Sequence, residues 1–305
     1  MPEAANESAT RCGFVALVGA PNVGKSTLLN QLVGSKVSIV SPKVQTTRSL
    51  VRGIAMHGNA QIVFVDTPGI FAPRRRLDRA MVQAAWSGAG DADLVALLID
   101  AKKGLDDEAR AIIDKLSGTV AKKVLVINKI DTVPRESLLA IAAEADRLAK
   151  FERIFMIAAL KGDGVADVLR YFAEAVPPGP FHYPPDEISD LPERLLAAEV
   201  TREKLYLRLH EELPYQSTVE TDSWKELKDG SVRIEQTIFV GRESQRKIVL
   251  GESGRMIKAI SMDARKEIAA AIERKVHLFL HVKVREDWEN DPERYRSMGL
   301  EFPRD

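Results

Sequence analysis

The sequence is poor in cysteine, in net charge and in long apolar runs. Its 305 residues include one cysteine, Cys12, so no disulfide can form within the chain, which indicates a reducing compartment. Basic and acidic side chains number 44 each, so binding to nucleic acid or to a membrane would need a local patch. No apolar run approaches the roughly 18 residues that cross a bilayer, and residues 1–10 show no leader pattern. These features predict a cytoplasmic protein.

Proline is concentrated in one segment, 177–193, where six of the 15 prolines occur. Proline fixes φ and removes an amide donor, so we expect a semi-rigid linker between two domains there. Upstream, near-continuous apolar runs alternate with helical patterns, which predicts an α/β domain with a mostly parallel sheet and helices on both faces. Downstream, half-buried strand patterns predict a small α+β domain. The predicted parts are a flexible tail (1–11), a first domain (12–176), the linker and a second domain (194–305).

The segment GAPNVGKST, residues 19–27, follows the first predicted strand and opens a predicted helix. In that context its glycines let the backbone wrap a polyphosphate, and the helix N-terminus adds positive potential. Lys25 is expected to contact the β- and γ-phosphates, and the Ser26 hydroxyl to ligate Mg²⁺. A glycine-rich turn without a ligand is the alternative interpretation.

Two further motifs stand at predicted strand ends. DTPG, residues 66–69, would place Asp66 near Mg²⁺ and let the Gly69 amide sense the γ-phosphate. NKID, residues 128–131, would read the base, because the Asp131 carboxylate can accept hydrogen bonds from both N1–H and the amino group of guanine. Adenine offers no such donor pair. Each motif alone is more often a surface turn, but their order and spacing favour a guanine nucleotide site.

The second domain contains Gly251-x-x-Gly254, which is the layout of a KH domain. We expect an apolar strand before this loop and a helix from about 262 to 274 after it, capped by Ser261. Five basic residues lie between Arg242 and Lys258, which predicts salt-sensitive RNA binding. Glu252 stands between the glycines, where many KH loops have a basic residue, and predicts weaker affinity. The expected RNA-binding residues are Arg246, Lys247, Ile248, Gly251, Glu252, Ser253, Gly254, Arg255, Ile257 and Lys258.

GAPNVGKST, QTTR (45–48), DTPG and NKID resemble the GTPases of the TrmE-Era group, and the second domain narrows the resemblance to the Era family. The resemblance implies a first switch over 41–52 with Thr47 as its Mg²⁺ ligand and Thr46 as a substitute. It also implies a last guanine motif at 158–160, where Ala158 replaces the usual serine. The implied nucleotide contacts are Gly19, Ala20, Pro21, Asn22, Val23, Gly24, Lys25, Ser26, Thr27, Asp66, Thr67, Pro68, Gly69, Asn128, Lys129, Asp131, Ala158, Ala159 and Leu160. The implied metal ligands are Ser26, Thr47 and Asp66.

Hydrolysis is expected to be slow. Many small GTPases orient the attacking water with a glutamine after the D-x-x-G glycine, but this chain has Ile70 there. Lys25, Thr47 and Asn22 are the catalytic candidates, and the resemblance suggests K⁺ held partly by Asn22. The alternative is that Asn22 only satisfies loop amides. The run 74–76, three arginines, could act as an arginine finger, although a solvated or RNA-facing surface is favoured.

The resemblance therefore implies a monomeric GTPase that uses Mg²⁺, binds GTP and GDP, and binds the 3′ region of small-subunit ribosomal RNA during assembly of the small ribosomal subunit. One alternative is a non-enzymatic RNA-binding protein that only senses nucleotide. Another is a regulatory GTPase in peripheral contact with the inner face of the cell membrane.

Overall fold

The computed structural model of the protein describes residues 10–119, 121–286 and 288–303. These residues form two compact units. The first contains 10–37, 50–72 and 82–190, and the second contains 38–49, 73–81 and the residues from 191 onwards. Most of the predicted tail, residues 1–9, lies outside the described residues, and Arg11 already belongs to the first strand.

The first unit contains a six-stranded sheet. Its strands are β1 (Arg11–Val18), β2 (Val51–His57), β3 (Ala60–Asp66), β4 (Leu94–Asp100), β5 (Lys122–Asn128) and β6 (Arg153–Ile157). Their order is β2-β3-β1-β4-β5-β6, with β2 antiparallel to β3 and all other pairs parallel. Every residue of β3 and β4 is buried, as expected for strands covered on both faces. The predicted α/β fold with a mostly parallel sheet is confirmed.

Four helices accompany this sheet: α1 (Lys25–Val33), α3 (Asp107–Ser117), α4 (Arg135–Leu148) and α5 (Val165–Ala175). A further helix, α2 (Arg76–Gly90), contributes its residues from 82 onwards to this unit. The parallel strands β1, β3, β5 and β6 end at Val18, Asp66, Asn128 and Ile157. Parallel strands have their carboxyl ends at one edge of the sheet, where open α/β sheets bind ligands. The sequence motifs at 19–27, 66–69, 128–131 and 158–160 therefore all lie at that edge.

The proline-rich segment packs onto the first unit as far as residue 190. The amide of Ile54 in β2 donates to the Ile188 carbonyl at 2.9 Å. The buried Gln61 side chain donates to the Tyr183 carbonyl at 2.8 Å and accepts from the His182 amide at 2.9 Å. A buried amide needs such partners, so Gln61 holds this segment in place. The domain boundaries predicted from the sequence stay a prediction.

The second unit contains a three-stranded sheet and four labelled helices. The elements are α6 (Glu193–Arg208), β7 (Ser217–Glu226), β8 (Val232–Val240), α7 (Glu243–Leu250), α8 (Arg255–Ala271), β9 (Val276–Val284) and α9 (Pro292–Ser297). β8 pairs antiparallel with β7 and parallel with β9. Ile238, Val249 and Ile260 are fully buried within one core cluster.

Two expectations for this unit are wrong. The segment before Gly251 is the helix α7, not a strand, and its buried residues Gln245 and Val249 are spaced by one helical turn. The following helix begins at Arg255, so Ser261 lies in its interior and cannot cap it. The buried residues Ile260, Ala264 and Ile268 lie on one face of this helix. Their spacing of four residues in the sequence indicates a helix that already includes residue 260.

Candidate nucleotide site and RNA-binding surface

The loop 19–24 connects β1 to α1 and is fixed by close backbone packing. Gly24 has φ of 101°, and a Cβ built on it would lie 2.2 Å from Nδ2 of Asn128. Only glycine therefore fits at this position. Asn22 also has a positive φ, 63°, which asparagine tolerates better than most residues. The helix α1 begins at Lys25, so its unsatisfied amides face the loop, as an anion site requires.

Lys25 is buried within this loop. Its Nζ donates to the carbonyl oxygens of Gly19 and Ala20, each at 3.0 Å. Burial lowers the pKa of Lys25 to about 8, and the nearby Asp66 carboxylate opposes this effect. Phosphate oxygens would stabilise this buried cation more strongly than the two neutral carbonyl oxygens to which it donates.

Ser26 and Asp66 lie together, which fits the metal assignment made from the sequence. The Ser26 hydroxyl donates to Oδ2 of Asp66 at 2.6 Å, and Asp66 is fully buried at the end of β3. Hydroxyl and carboxylate oxygens are the ligands that Mg²⁺ prefers. The third predicted ligand, Thr47, is buried in the second unit, and its metal role stays a prediction.

The DTPG loop packs directly on the phosphate loop. The Thr67 hydroxyl donates to the Leu17 carbonyl at 2.8 Å, and the Ile70 amide donates to the Gly19 carbonyl at 3.0 Å. A Cβ on Gly69 would lie 2.8 Å from Cγ of Pro21. Pro21 and Val23 belong to the loop 19–24, Pro68 belongs to the DTPG loop, and Thr27 lies in the first turn of α1. The Ile70 side chain is buried, so it lies among apolar neighbours instead of facing water.

Asn128 connects three of the predicted nucleotide motifs. Its Nδ2 donates to the Val23 carbonyl at 2.8 Å, and its Oδ1 accepts from the amides of Lys129 at 2.8 Å and Ala159 at 3.0 Å. Ala158 and Ala159 are buried, whereas the Leu160 side chain is 80% exposed. One buried amide thus joins the phosphate loop, NKID and the 158–160 loop.

Two partners in this site were not identified from the sequence. Lys129 donates from Nζ to Oδ2 of Asp100 at 2.6 Å and to the Asn22 carbonyl at 2.7 Å. Asp100 is the last residue of β4 and pairs in register with Asn128, so its strand-end position was the available signal. Lys161 lies 3.0 Å from the Asp131 carboxylate. The hydrogen bond from Lys161 holds the pKa of Asp131 below its usual acidic value, which further favours the ionised carboxylate.

Gly24→Ala is expected to lower GDP affinity at least tenfold, because the added Cβ must displace the Asn128 amide that joins the three motifs. Gly34→Ala is the matched control. Gly34 also has a left-handed φ, 77°, but nothing lies within 4 Å of the place that its Cβ would occupy. The control should cost about 1 kcal/mol of stability and leave GDP affinity unchanged. Calorimetric titration of both variants with GDP measures this, and equal affinities would contradict the assigned role of Gly24.

The predicted RNA-binding loop lies between α7 and α8. Gly251 and Gly254 have φ of 70° and 75°, and Ser253 between them has φ of 51°. A Cβ on Gly251 would lie 2.9 Å from the Met256 amide nitrogen, so a larger residue would displace the start of α8. Because α8 follows the loop directly, its N-terminal amides can meet a phosphate.

The side chains around this loop are mostly exposed. Lys247, Arg255 and Lys258 are exposed cations, and Ile248 is a 55% exposed apolar residue beside them. Arg246 and Ile257 are half-buried. The exposed Glu252 and Arg255 form an ion pair across the loop. Cations beside an apolar side chain suit an unstacked base and its phosphate.

Comparisons with known proteins agree with this architecture. Residues 14–129 match the family described as "50S ribosome-binding GTPase", and residues 212–289 match the family described as "KH domain". The GTPase Era of Bradyrhizobium sp. (strain ORS 278) is 68% identical over 301 residues, which cover 99% of this chain and 98% of that protein. The chain belongs to the Era family of GTPases. GTPase Era of Rhizobium meliloti is 64% identical, again over 99% of this chain and with 96% of the relative covered.

Two solved Era structures also resemble this Era-family protein. One is a single-residue variant of Aquifex aeolicus Era bound to GDP·AlF4⁻, and the other is Era in complex with MgGDPNP and nucleotides 1506–1542 of 16S ribosomal RNA. Each is 38% identical with a TM-score of 0.90, and each comparison covers 95% of this chain and 99% of the other. The chain is therefore a GTP hydrolase with a P-loop GTPase domain followed by a KH domain. Among the described residues, no helix combines the length and apolar character that a membrane span requires.

Proposed function

We propose that this Era-family GTPase couples its nucleotide state to binding of the 3′ region of small-subunit ribosomal RNA during assembly of the small subunit. The observation that carries the proposal is the loop 251–254, where a helix N-terminus and the exposed cations Lys247, Arg255 and Lys258 surround the apolar Ile248. The Era structure that contains nucleotides 1506–1542 of 16S ribosomal RNA has the same fold over 95% of this chain. Both features support an RNA partner of that kind.

The nucleotide side of the proposal assigns roles to the residues at the sheet edge. Lys25 would exchange its carbonyl partners for β- and γ-phosphate oxygens, and Asp131 would accept both hydrogen bonds from guanine. Ser26 and Asp66, with Thr47 from the first switch, would hold Mg²⁺. Bound Mg²⁺ would neutralise charge on the phosphates. Asn128 keeps the loops that carry these groups at fixed distances from one another.

The buried, apolar Ile70 can neither orient the attacking water nor stabilise charge in the transition state. Hydrolysis therefore requires another source of transition-state stabilisation. We assign this role to K⁺ held partly by Asn22, whose left-handed backbone is held in place by the Lys129 hydrogen bond to its carbonyl. Turnover that is equal in potassium and sodium salts would rule out this part of the proposal. Three further properties stay predictions: a monomeric state, a cytoplasmic location and peripheral membrane contact. Light scattering tests the first, and vesicle flotation tests the third.

Glu252→Gln is expected to raise affinity for a 3′ fragment of 16S ribosomal RNA by about three- to fivefold at low salt. The substitution removes a negative charge and releases Arg255 from its ion pair, so one more cation can reach a phosphate. The gain should shrink as salt increases. Fluorescence anisotropy with a labelled fragment measures this, in the presence of GDP and of a GTP analogue that resists hydrolysis.

The matched control is Asp167→Asn, which breaks an exposed ion pair of the same three-residue spacing, with Arg170, on the GTPase unit. It makes the same change in net charge and should leave RNA affinity unchanged. If both variants gain equally, the effect belongs to net charge and not to the loop. If wild-type affinity for the fragment is the same with GDP and with the GTP analogue, the proposed coupling is wrong even where RNA binds.

A further inference from the structure

The second unit contains a cavity of about 440 Å³ that is separate from the loop 251–254. It lies between the first ten residues of α6, residues 48–49, β7 and C-terminal residues around α9. Its volume falls within the range of roughly 300 to 1,000 Å³ that small-ligand pockets occupy. Five arginines line it: Arg48, Arg194, Arg202, Arg285 and Arg294.

Carboxylates only partly balance these cations. Four line the cavity: Glu199, Glu220, Asp291 and Glu293. Glu199 pairs with Arg202, Glu220 pairs with Arg294 at 2.5 Å, and Asp291 pairs with Arg285 at 2.6 Å. The hydrogen bonds that the structure records for Arg48 and Arg194 are all to neutral oxygens. With five arginines against four carboxylates, the lining of the cavity has a net charge of about +1.

Arg48 is the buried member of this pair, with 3% of its surface exposed. Its Nη1 donates to the Ser217 carbonyl at 3.0 Å, and its Nη2 donates to the Tyr206 hydroxyl and the Tyr215 carbonyl, both at 2.9 Å. Its guanidinium also lies 5.5 Å from the ring centroid of Trp288. Burial lowers the pKa of Arg48, as expected for a cation in a dry site whose charge is not neutralised by contact.

Buried hydrogen-bond donors beside the cavity lack acceptors. Within the described residues, Nε of Arg48 and Nη1 of Arg202 have no acceptor, although both atoms are inaccessible to solvent. A buried donor without an acceptor is costly, and native proteins usually satisfy such donors with protein, water or a ligand. Both guanidinium groups are at least nine-tenths buried and belong to side chains that line the cavity.

Arg194 is the exposed member of the pair and the more accessible contact for a ligand. It lies in the first turn of α6, which begins at Glu193, and its Nη2 donates to the Thr221 carbonyl at 2.5 Å. The positive end of the helix dipole adds to the potential there. Cations from α6, from the segment 38–49 and from the C-terminal residues thus converge on one cavity from different directions.

We propose that this cavity binds a phosphate group. The planar guanidinium fork pairs with phosphate through two parallel hydrogen bonds, and several arginines around one pocket match its tetrahedral oxygens better than a flat carboxylate. Arg194 and Arg285 contact the phosphate, while the buried Arg48, whose recorded hydrogen bonds are all to neutral oxygens, supplies positive potential from below. The phosphate belongs either to a free oligophosphate or to an RNA backbone that reaches beyond the loop 251–254.

The test uses the full chain with its nucleotide site saturated by Mg²⁺ and GDP, so that added phosphate reports on a second site. The chain has three tryptophans, and Trp86→Phe with Trp224→Phe leaves Trp288 as the reporter beside Arg48. Its fluorescence is titrated with inorganic pyrophosphate and with a single-stranded RNA 12-mer, against sodium chloride at matched ionic strength. Arg194→Gln and Arg285→Gln each remove one cavity cation, and Arg265→Gln removes an exposed cation on α8, outside the cavity.

We expect pyrophosphate to bind saturably, and Arg194→Gln and Arg285→Gln to weaken this binding about tenfold while Arg265→Gln leaves it unchanged. That result supports the proposal with a free oligophosphate as the ligand. If pyrophosphate has no effect beyond chloride but the two cavity variants weaken RNA binding about tenfold relative to Arg265→Gln, the RNA backbone supplies the phosphate. The proposal is wrong if neither probe separates the cavity variants from Arg265→Gln. Circular dichroism of each variant confirms that the fold is retained.

Discussion

Asp131→Asn is expected to weaken GTP binding by about 100-fold while leaving ATP binding unchanged. The carboxylate can accept hydrogen bonds from N1–H and from the amino group of guanine, and hydrogen bonds to a charged group contribute roughly 1.5–3 kcal/mol each. The amide that replaces it presents at best one acceptor and brings a donor toward N1–H. An aspartate is ionised throughout the neutral range, and Lys161 holds the pKa of Asp131 lower still. Competitive titration with GTP and ATP measures the preference.

Lys161→Gln is the matched control for this experiment. It removes the ion pair at 3.0 Å but keeps the Asp131 carboxylate, which remains ionised at neutral pH without it. GTP affinity should change by no more than about threefold, as is usual for an exposed ion pair. If Asp131→Asn retains the preference for GTP over ATP, the assignment of Asp131 as the base-reading residue is wrong. If Lys161→Gln loses a large part of its GTP affinity, Lys161 and not Asp131 would be the base-reading residue.

GDP affinity is expected to fall about tenfold per pH unit above pH 8. In the nucleotide-free protein, burial lowers the pKa of Lys25 to about 8. Phosphate oxygens favour the charged lysine, so the pKa of Lys25 in the complex is higher than in the free protein. Between these two pKa values the free protein has lost a proton that the complex retains, and binding must take up that proton. Affinity is therefore constant below pH 8 and decreases as pH rises above it.

Titrations with GDP at pH 7.5, 8.5 and 9.5 measure this dependence, and calorimetry in two buffers of different ionisation enthalpy measures the proton uptake directly. Lys25→Met is the control. It should bind more weakly at every pH, and it should keep only the decrease that comes from deprotonation of guanine itself near the top of this range. A wild-type affinity that is constant from pH 7.5 to 8.5, with no proton uptake, would contradict a neutral Lys25 in the free protein.

The nucleotide site was predictable because its chemistry is local in sequence. A glycine-rich loop, a lysine and a hydroxyl occur together in 19–27, and each further motif follows its own apolar run. An apolar run of strand length identifies a buried strand, and parallel strands bring their carboxyl ends to one edge. The order of the strands, by contrast, places Asp100 beside Asn128 and allows Lys129 to pair with Asp100. That pairing joins residues 29 positions apart, and Asp100 lies outside all of the motifs recognised in the sequence.

The second domain shows where local patterns fail. Ile248, Val249 and Leu250 form a short apolar run with two β-branched residues, which favours a strand when read alone. In the structure the run ends the helix α7, because Val249 packs with Ile238 and Ile260 in the core while Ile248 stays exposed. Short apolar runs do not distinguish a strand from the end of a helix, and tertiary packing decides between them.

The sequence by itself determined the family, the two kinds of domain and the residues that can contact a guanine nucleotide, because each depends on residue types at fixed short spacings. Only the tertiary structure decided that the segment 38–49 belongs to the second compact unit and that five arginines surround one cavity there. Arg48 and Arg194 are 146 positions apart in the chain, and no local period relates them. Which distant charges become neighbours is set by how the elements pack, since packing buries apolar faces first and fixes the positions of charged side chains as a consequence.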